Sequence, residues 1–186
     1  ALLHPTPDIA LDCPRCSVTL DPAGWHIPGM RVLAELLCPS CDRRYYGDFP
    51  TGAGWEMQVL VDQETGETFP GKHEDFFSFW LHESFANRRS ERTDVDFDTL
   101  EGVERPALLN CLDALYGHSL LKILHAQYFL DRTDIDPVVL VPSNLEWLVP
   151  DGVPAVWRVD LPMSSGYEWN DWLAERIEQE ISNCEA

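Results

Sequence analysis

Lysine is almost missing from this chain of 186 residues: of its 13 basic side chains only Lys72 and Lys122 are lysine, and the rest are arginine. Basic residues as a class are outnumbered by 32 acidic ones, which leaves a formal charge of −19. So acidic a surface repels nucleic-acid phosphates and anionic membranes, and this argues against nucleic acid as a partner. Long apolar runs are missing too. The longest is Val-Val-Leu-Val at 138–141, far short of a bilayer span, so no membrane insertion is expected. The opening Ala-Leu-Leu-His-Pro has neither the basic patch nor the apolar core of a signal peptide, and a cytoplasmic location is expected. Acid excess with scarce lysine is a composition associated with salt-loving cytoplasms, where counterions screen self-repulsion, and it points to a halophilic source.

What is present is an ordinary folding composition. Apolar residues make up 45% and charged residues 24% of the chain, too apolar for disorder. Three parts are expected. Residues 1–70 hold four of the six cysteines among glycines, prolines and short alternating runs. Strands are predicted at 31–37, 43–46 and 56–61, with a short return through Thr68 and Phe69 and a turn at Gly24, giving an antiparallel β module. Residues 71–105 read as a helix, 73–89, whose Phe76, Phe77, Trp80, Leu81 and Ser84 follow helical spacing as a core stripe, then an acidic connector around Asp94, Asp96 and Asp98. In residues 106–186, apolar strands at 107–112, 138–141 and 155–161 alternate with helices at 118–131 and 168–182. That order predicts a short parallel sheet with helices on its faces. The fold class is therefore α+β: a β module followed by a small three-layer, Rossmann-like α/β unit. Three strands and two helices make an unfinished sheet, to be completed by another segment or another chain.

The strongest motif is Cys13-Pro14-Arg15-Cys16 with Cys38-Pro39-Ser40-Cys41. Two residues between paired cysteines let both sulfurs face one cation, and four thiolates fill a tetrahedral shell. With a hairpin's length between the pairs this is the zinc-ribbon pattern, and it predicts a structural Zn²⁺ held by Cys13, Cys16, Cys38 and Cys41. A rubredoxin-type iron centre uses similar knuckles. Arg15, Arg43 and Arg44 beside Tyr45 and Tyr46 form a small basic-aromatic cluster, the one feature that favours nucleic acid. Cys111 and Cys184 stand alone, and Cys111 reads as a core residue.

In open α/β sheets ligands sit beyond the carboxyl ends of the strands. The richest such end runs from Asn110 through Asp113, Tyr116, Gly117, His118 and Ser119 to Lys122. Here His118 is the candidate proton-transfer group and Asp113 the residue that orients it. Asn110, Tyr116, Gly117, Ser119 and Lys122 are candidate ligand-binding residues, with Ser119 also placed to cap the helix.

The run Leu-Asn-Cys-Leu-Asp-Ala-Leu-Tyr-Gly-His-Ser-Leu-Leu-Lys at 109–122 resembles the start of the first Rossmann-like domain of GT-B-type glycosyltransferase-like proteins. Val139-Leu140-Val141-Pro142 and Val149-Pro150-Asp151-Gly152-Val153 fit the same arrangement. Fucosyltransferase-like members usually carry Gly-Asn in the turn where this chain has Gly117-His118. The resemblance implies an acceptor-side domain, with the nucleotide-sugar site in a second domain. Three readings of function follow. The first is a zinc-binding protein-interaction module that binds a protein partner or itself, the second a glycosyltransferase-like enzyme, and the third a zinc-ribbon nucleic-acid binder.

Overall fold

Alternating side chains give each short strand two faces, and the chain uses both. The structure, a computed structural model, describes residues 11–48, 59–71 and 76–185. Its first sheet is antiparallel, in the order β1 (Asp21–His26), β2 (Leu33–Leu37), β3 (Arg44–Asp48), β4 (Leu60–Asp62) and β5 (Thr68–Phe69). Ala34, Leu36 and Tyr45 turn to one face, where they pack with Cys13, Leu20, Cys38 and Leu60. Leu33 and Val61 turn to the other, against Leu81, Phe85 and Trp169.

β1 is a strand where the sequence suggested a turn. It carries a bulge between Pro22 and Gly24 and lies at the sheet edge, where a missing donor and a missing side chain are tolerated. Residues 56–58 of the expected third strand lie outside the described residues. The helix α1 (Phe76–Ala86) buries Leu81 and Phe85 but leaves Phe76 and Trp80 exposed. Its stripe is core on one side only, and Trp80 stacks on Tyr167 with ring centroids 5.9 Å apart.

The second sheet has the order β6 (Val95–Phe97), β9 (Ala155–Val159), β8 (Asp136–Pro142), β7 (Pro106–Asn110). β7, β8 and β9 are parallel, as the alternation of strands and helices predicted. The acidic connector supplies β6, an antiparallel edge strand, so the sheet is mixed. Arg158 on β9 is what makes so acidic a strand dock. It pairs with Asp98 at 2.7 Å, Glu146 at 2.7 Å and Asp96 at 3.6 Å. The backbone N–H of Val156 also donates to Asp98.

Val139 and Val141 pack under helix α2 (Tyr116–Arg132), through Ile123 and Ala126, and under a 3₁₀ turn, Ser143–Leu148, through Leu145. Val138, Leu140 and Trp157 face the other way, onto Leu173 and Ile177 of α3 (Asp171–Glu185). This gives helix, sheet and helix. Trp169, within the span 168–182 expected to be helical, lies just before α3 and belongs to the first sheet's core. Among the described residues no helix is long and apolar enough to cross a membrane.

The two sheets meet where backbone touches backbone. Asn110 Nδ2 donates to the Gly29 carbonyl at 2.8 Å, and the N–H of Met30 donates to the Gly166 carbonyl at 3.2 Å. A Cβ on Gly166 would lie 2.5 Å from the Ala114 nitrogen, and one on Gly29 would lie 2.7 Å from the Glu168 carbonyl oxygen. Gly117, on α2, has nothing among the described residues within 4 Å of such an atom. Gly166→Ala is therefore expected to lower stability by about 1–3 kcal/mol, whereas Gly117→Ala stabilises slightly by removing unfolded-state freedom. Thermal melts of the two variants check this. Equal melting temperatures would contradict the contact.

Candidate metal centre

Each cysteine pair closes into the same small turn. The N–H of Ser17 donates to the Cys13 carbonyl at 2.8 Å, and the N–H of Asp42 donates to the Cys38 carbonyl at 3.0 Å. The residue after each second cysteine is left-handed, Ser17 at φ 58° and Asp42 at φ 56°, a position that favours glycine and that Asp tolerates better than most. The register of β1 with β2 holds the two turns side by side, since Asp21, soon after the first turn, pairs with Leu37, just before the second.

The four sulfurs converge. Cys16 Sγ lies 3.4 Å from Cys38 Sγ and 3.9 Å from Cys41 Sγ, and Cys13 Sγ lies 3.8 Å from Cys41 Sγ. All four fall within 4.8 Å of one another. A tetrahedral Zn–S shell with bonds of about 2.3 Å has edges of about 3.8 Å. The donor set and its spacing therefore fit a metal ion such as zinc, and with the antiparallel sheet they suggest a zinc ribbon. Cys13 and Cys38 are buried and Cys16 and Cys41 exposed. Burial works against the Cys13 thiolate, but the Tyr45 hydroxyl at 3.5 Å and the N–H groups of Arg15 and Cys16 bring it down to about 6. Cys41, despite the N–H of Arg43, is pushed up to about 12 by the neighbouring sulfurs and by burial. Sulfurs this close ionise together only around a cation.

The arginines flanking the knuckles have partners. Asp62 is fully buried and accepts from the N–H groups of Glu64 and Thr65 at 3.0 and 2.9 Å. Its carboxylate also pairs with Arg15 at 3.4 Å and Arg43 at 3.6 Å, one arginine from each knuckle. Arg15 reaches Glu67 as well, and Arg43 reaches Glu64. Two cations of the basic-aromatic cluster are thus spent on carboxylates, and Tyr45 is buried under the sulfurs.

At the β7–α2 turn, Asp113 is buried and His118 exposed, with His118 Nδ1 3.4 Å from Asp113 Oδ1. Lys122 Nζ lies 2.9 Å from Asp113 Oδ2 and donates to the Leu112 carbonyl at 2.8 Å. Asp113, His118 and Lys122 are brought together. Asn110 instead holds Gly29, and its Oδ1 accepts from Leu112 N–H. Tyr116 and Gly117 are exposed. Ser119 does not cap the helix, which begins two residues before His118 with Leu115 as its N-cap. Its hydroxyl is buried without a hydrogen-bond partner among the described residues. Cys111 is fully buried, and burial pushes its thiol up to about 12, away from nucleophilic use. The side chain of Cys184 lies outside the described residues.

One cluster has no motif in the sequence. His26, Glu35 and Glu178 offer a ring nitrogen and two carboxylate oxygens within 4.8 Å of one another. They line a cavity of about 620 Å³ together with Tyr46, Arg88, Asp171 and Glu175. Burial, and then the Glu178 carboxylate, hold the Glu35 carboxyl above its ordinary value. Only the β1–β2 register and the docking of α3 join these three residues, so no spacing rule finds them.

Asp62 gives a pH test. Burial raises its pKa, but the N–H groups of Thr65 and Glu64 and the Arg43 guanidinium outweigh burial and set it below the ordinary 3.8. Its contribution is complete above that value and disappears as pH falls through the depressed folded pKa, because the unfolded chain takes up the proton first. Asp62→Asn is expected to cost about 2 kcal/mol or more at neutral pH. The gap from wild type should narrow below about pH 4. Acid protonation of the cysteine cluster is common to both proteins, so the difference between their denaturation curves isolates Asp62. A gap independent of pH would contradict the assignment.

No family model, curated protein or solved structure matches this chain, so the metal centre stands on its own geometry.

Proposed function

We propose that the chain is a zinc-binding protein-interaction module. A structural Zn²⁺ at Cys13, Cys16, Cys38 and Cys41 holds the β part, and α2 of the Rossmann-like part mediates assembly with a second copy. The observation that carries this is the outer face of α2. Leu121, Leu124 and Tyr128, spaced one to two turns along a single stripe, are 60, 53 and 60% exposed. Trp147, on the 3₁₀ turn covering the same sheet face, is 73% exposed. Apolar groups gathered in this way mark a contact surface more than a solvated face.

Charge selects a second copy as the occupant. Residues 114–130 carry no Asp or Glu in a chain of −19 and include Lys122, one of its two lysines. Two copies approach with least repulsion through this stretch, and a two-fold contact sets the same stripe against itself. Sedimentation across the micromolar range in high salt is expected to give a dimer, and Leu124→Glu a monomer that keeps its zinc. Elemental analysis in the presence of a weak chelator is expected to find one zinc per chain, absent from Cys41→Ser. A wild-type monomer would overturn the assembly, and a metal-free chain would overturn the zinc scaffold.

A second reading rests on the β7–α2 turn. His118, Asp113 and Lys122 gather at the carboxyl end of a parallel strand, where the glycosyltransferase-like resemblance expects an acceptor. In this reading His118 acts as donor or base to a sugar hydroxyl and Asp113 orients it, with Asn110, Tyr116, Gly117, Ser119 and Lys122 around the ligand. Calorimetry with glycans and nucleotide sugars is expected to show binding weakened at least tenfold by His118→Ala, with an unchanged melt. No binding by the wild-type chain would remove this reading.

A further inference from the structure

The face of the first sheet opposite the cysteines carries a second set of metal-ligating groups. His26 ends β1 and Glu35 lies mid-way along β2, and in the antiparallel register Gly24 is opposite Glu35. A Cβ on Gly24 would come within 3.2 Å of Glu35 Oε2. The absent side chain leaves room for the carboxylate beside the imidazole. Glu178 arrives from α3, with its Oε1 2.8 Å from His26 Nδ1.

The imidazole is held but not satisfied. It stacks on Tyr46, with centroids 4.5 Å apart, and leans on Trp169 at 5.2 Å. Only 6% of His26 is exposed, and among the described residues its buried Nε2 has no hydrogen-bond partner. On the same cavity wall Gln63 Nε2 is also buried and unpartnered among the described residues. Buried polar atoms nearly always have partners, so two orphans around one polar cavity mark a place built for a polar guest.

Charge gives the sign of that guest. The lining carries Glu35, Asp171, Glu175 and Glu178 against the single arginine Arg88, and Arg88 is drawn to Asp171 at 3.6 Å and to the Phe85 ring. The guest is a cation. One imidazole nitrogen with two carboxylates is a donor set for a borderline or hard divalent ion of the first transition row, unlike the four soft sulfurs across the sheet.

We propose that His26, Glu35 and Glu178 form a second metal site, which takes a divalent cation such as Mn²⁺, Fe²⁺ or Zn²⁺ and opens onto the cavity of about 620 Å³. Three protein ligands leave coordination positions free toward the cavity, the pattern of a site that meets water or a substrate, whereas the cysteine site is closed. The binding ion takes the place of the contact between His26 Nδ1 and Glu178 Oε1. This site is independent of the α2 face and of the β7–α2 turn.

Mn²⁺ is the probe, because thiolates bind it poorly and the cysteine site can be filled with zinc beforehand. Zinc-loaded full-length chain is titrated with Mn²⁺ in high KCl, which screens the acidic surface. The paramagnetic resonance of free aqueous Mn²⁺ is followed. The wild-type chain is expected to take up one Mn²⁺. Glu35→Gln keeps size and fold, and is expected to bind about tenfold or more weakly with the cysteine-bound zinc and the melt unchanged. Should Glu35→Gln not fold, Glu178→Gln, at a half-exposed position on α3, decides in the same way. Uptake that is absent, or spread over weak sites unaltered by these substitutions, overturns the proposal.

Discussion

Four sulfurs from two turns far apart in sequence lie within 4.8 Å of one another, and that convergence is the constraint on which the first sheet depends. The sulfurs meet only if β1 and β2 keep their register, which sets the first turn beside the second. The apolar cluster on that face is small, and Cys13 and Cys38 are themselves members of it. A metal ion bound there would supply the stabilisation that a larger core supplies elsewhere. Asp62 ties the same arrangement from outside, through one arginine of each knuckle. A buried carboxylate with two backbone donors and two guanidinium partners recovers by hydrogen bonding what it loses by desolvation.

The opposite face of that sheet is polar in part, and α3 explains why this is tolerated. Leu173 and Ile177 face the second sheet, while Asp171, Glu175 and Glu178 face the cavity shared with His26 and Glu35. One helix thus closes the apolar core of the second sheet and supplies carboxylates to the first. The close approach of Gly29 to the Glu168 and Gly166 carbonyls brings the two sheets to backbone distance beside this helix.

Acidity is distributed unevenly along the chain. β6 carries Asp96 and runs into Asp98, and it still docks because Arg158 answers both. Residues 114–130, by contrast, have no acidic side chain, and this stretch holds the exposed apolar stripe of α2. Where self-repulsion is least, apolar surface is left uncovered.

Two kinds of information were legible in the sequence. The paired cysteine spacing named all four sulfurs, because two intervening residues fix a local turn whatever the rest of the chain does. The apolar run at 138–141 announced a central parallel strand, because a strand buried on both faces needs apolar residues at every position. β1 and β6 were hidden by local chemistry, Pro22 and Gly24 in one and aspartates in the other, and each became a strand through a neighbour that supplied an edge or a counter-charge. The aromatic stripe of α1 was read as core throughout, yet burial of Leu81 and exposure of Trp80 depend on which side of the helix meets the sheet. His26, Glu35 and Glu178 were beyond any local rule. Their meeting is set by a hairpin register and the docking of a helix from the far end of the chain, and such long-range geometry is decided by packing alone.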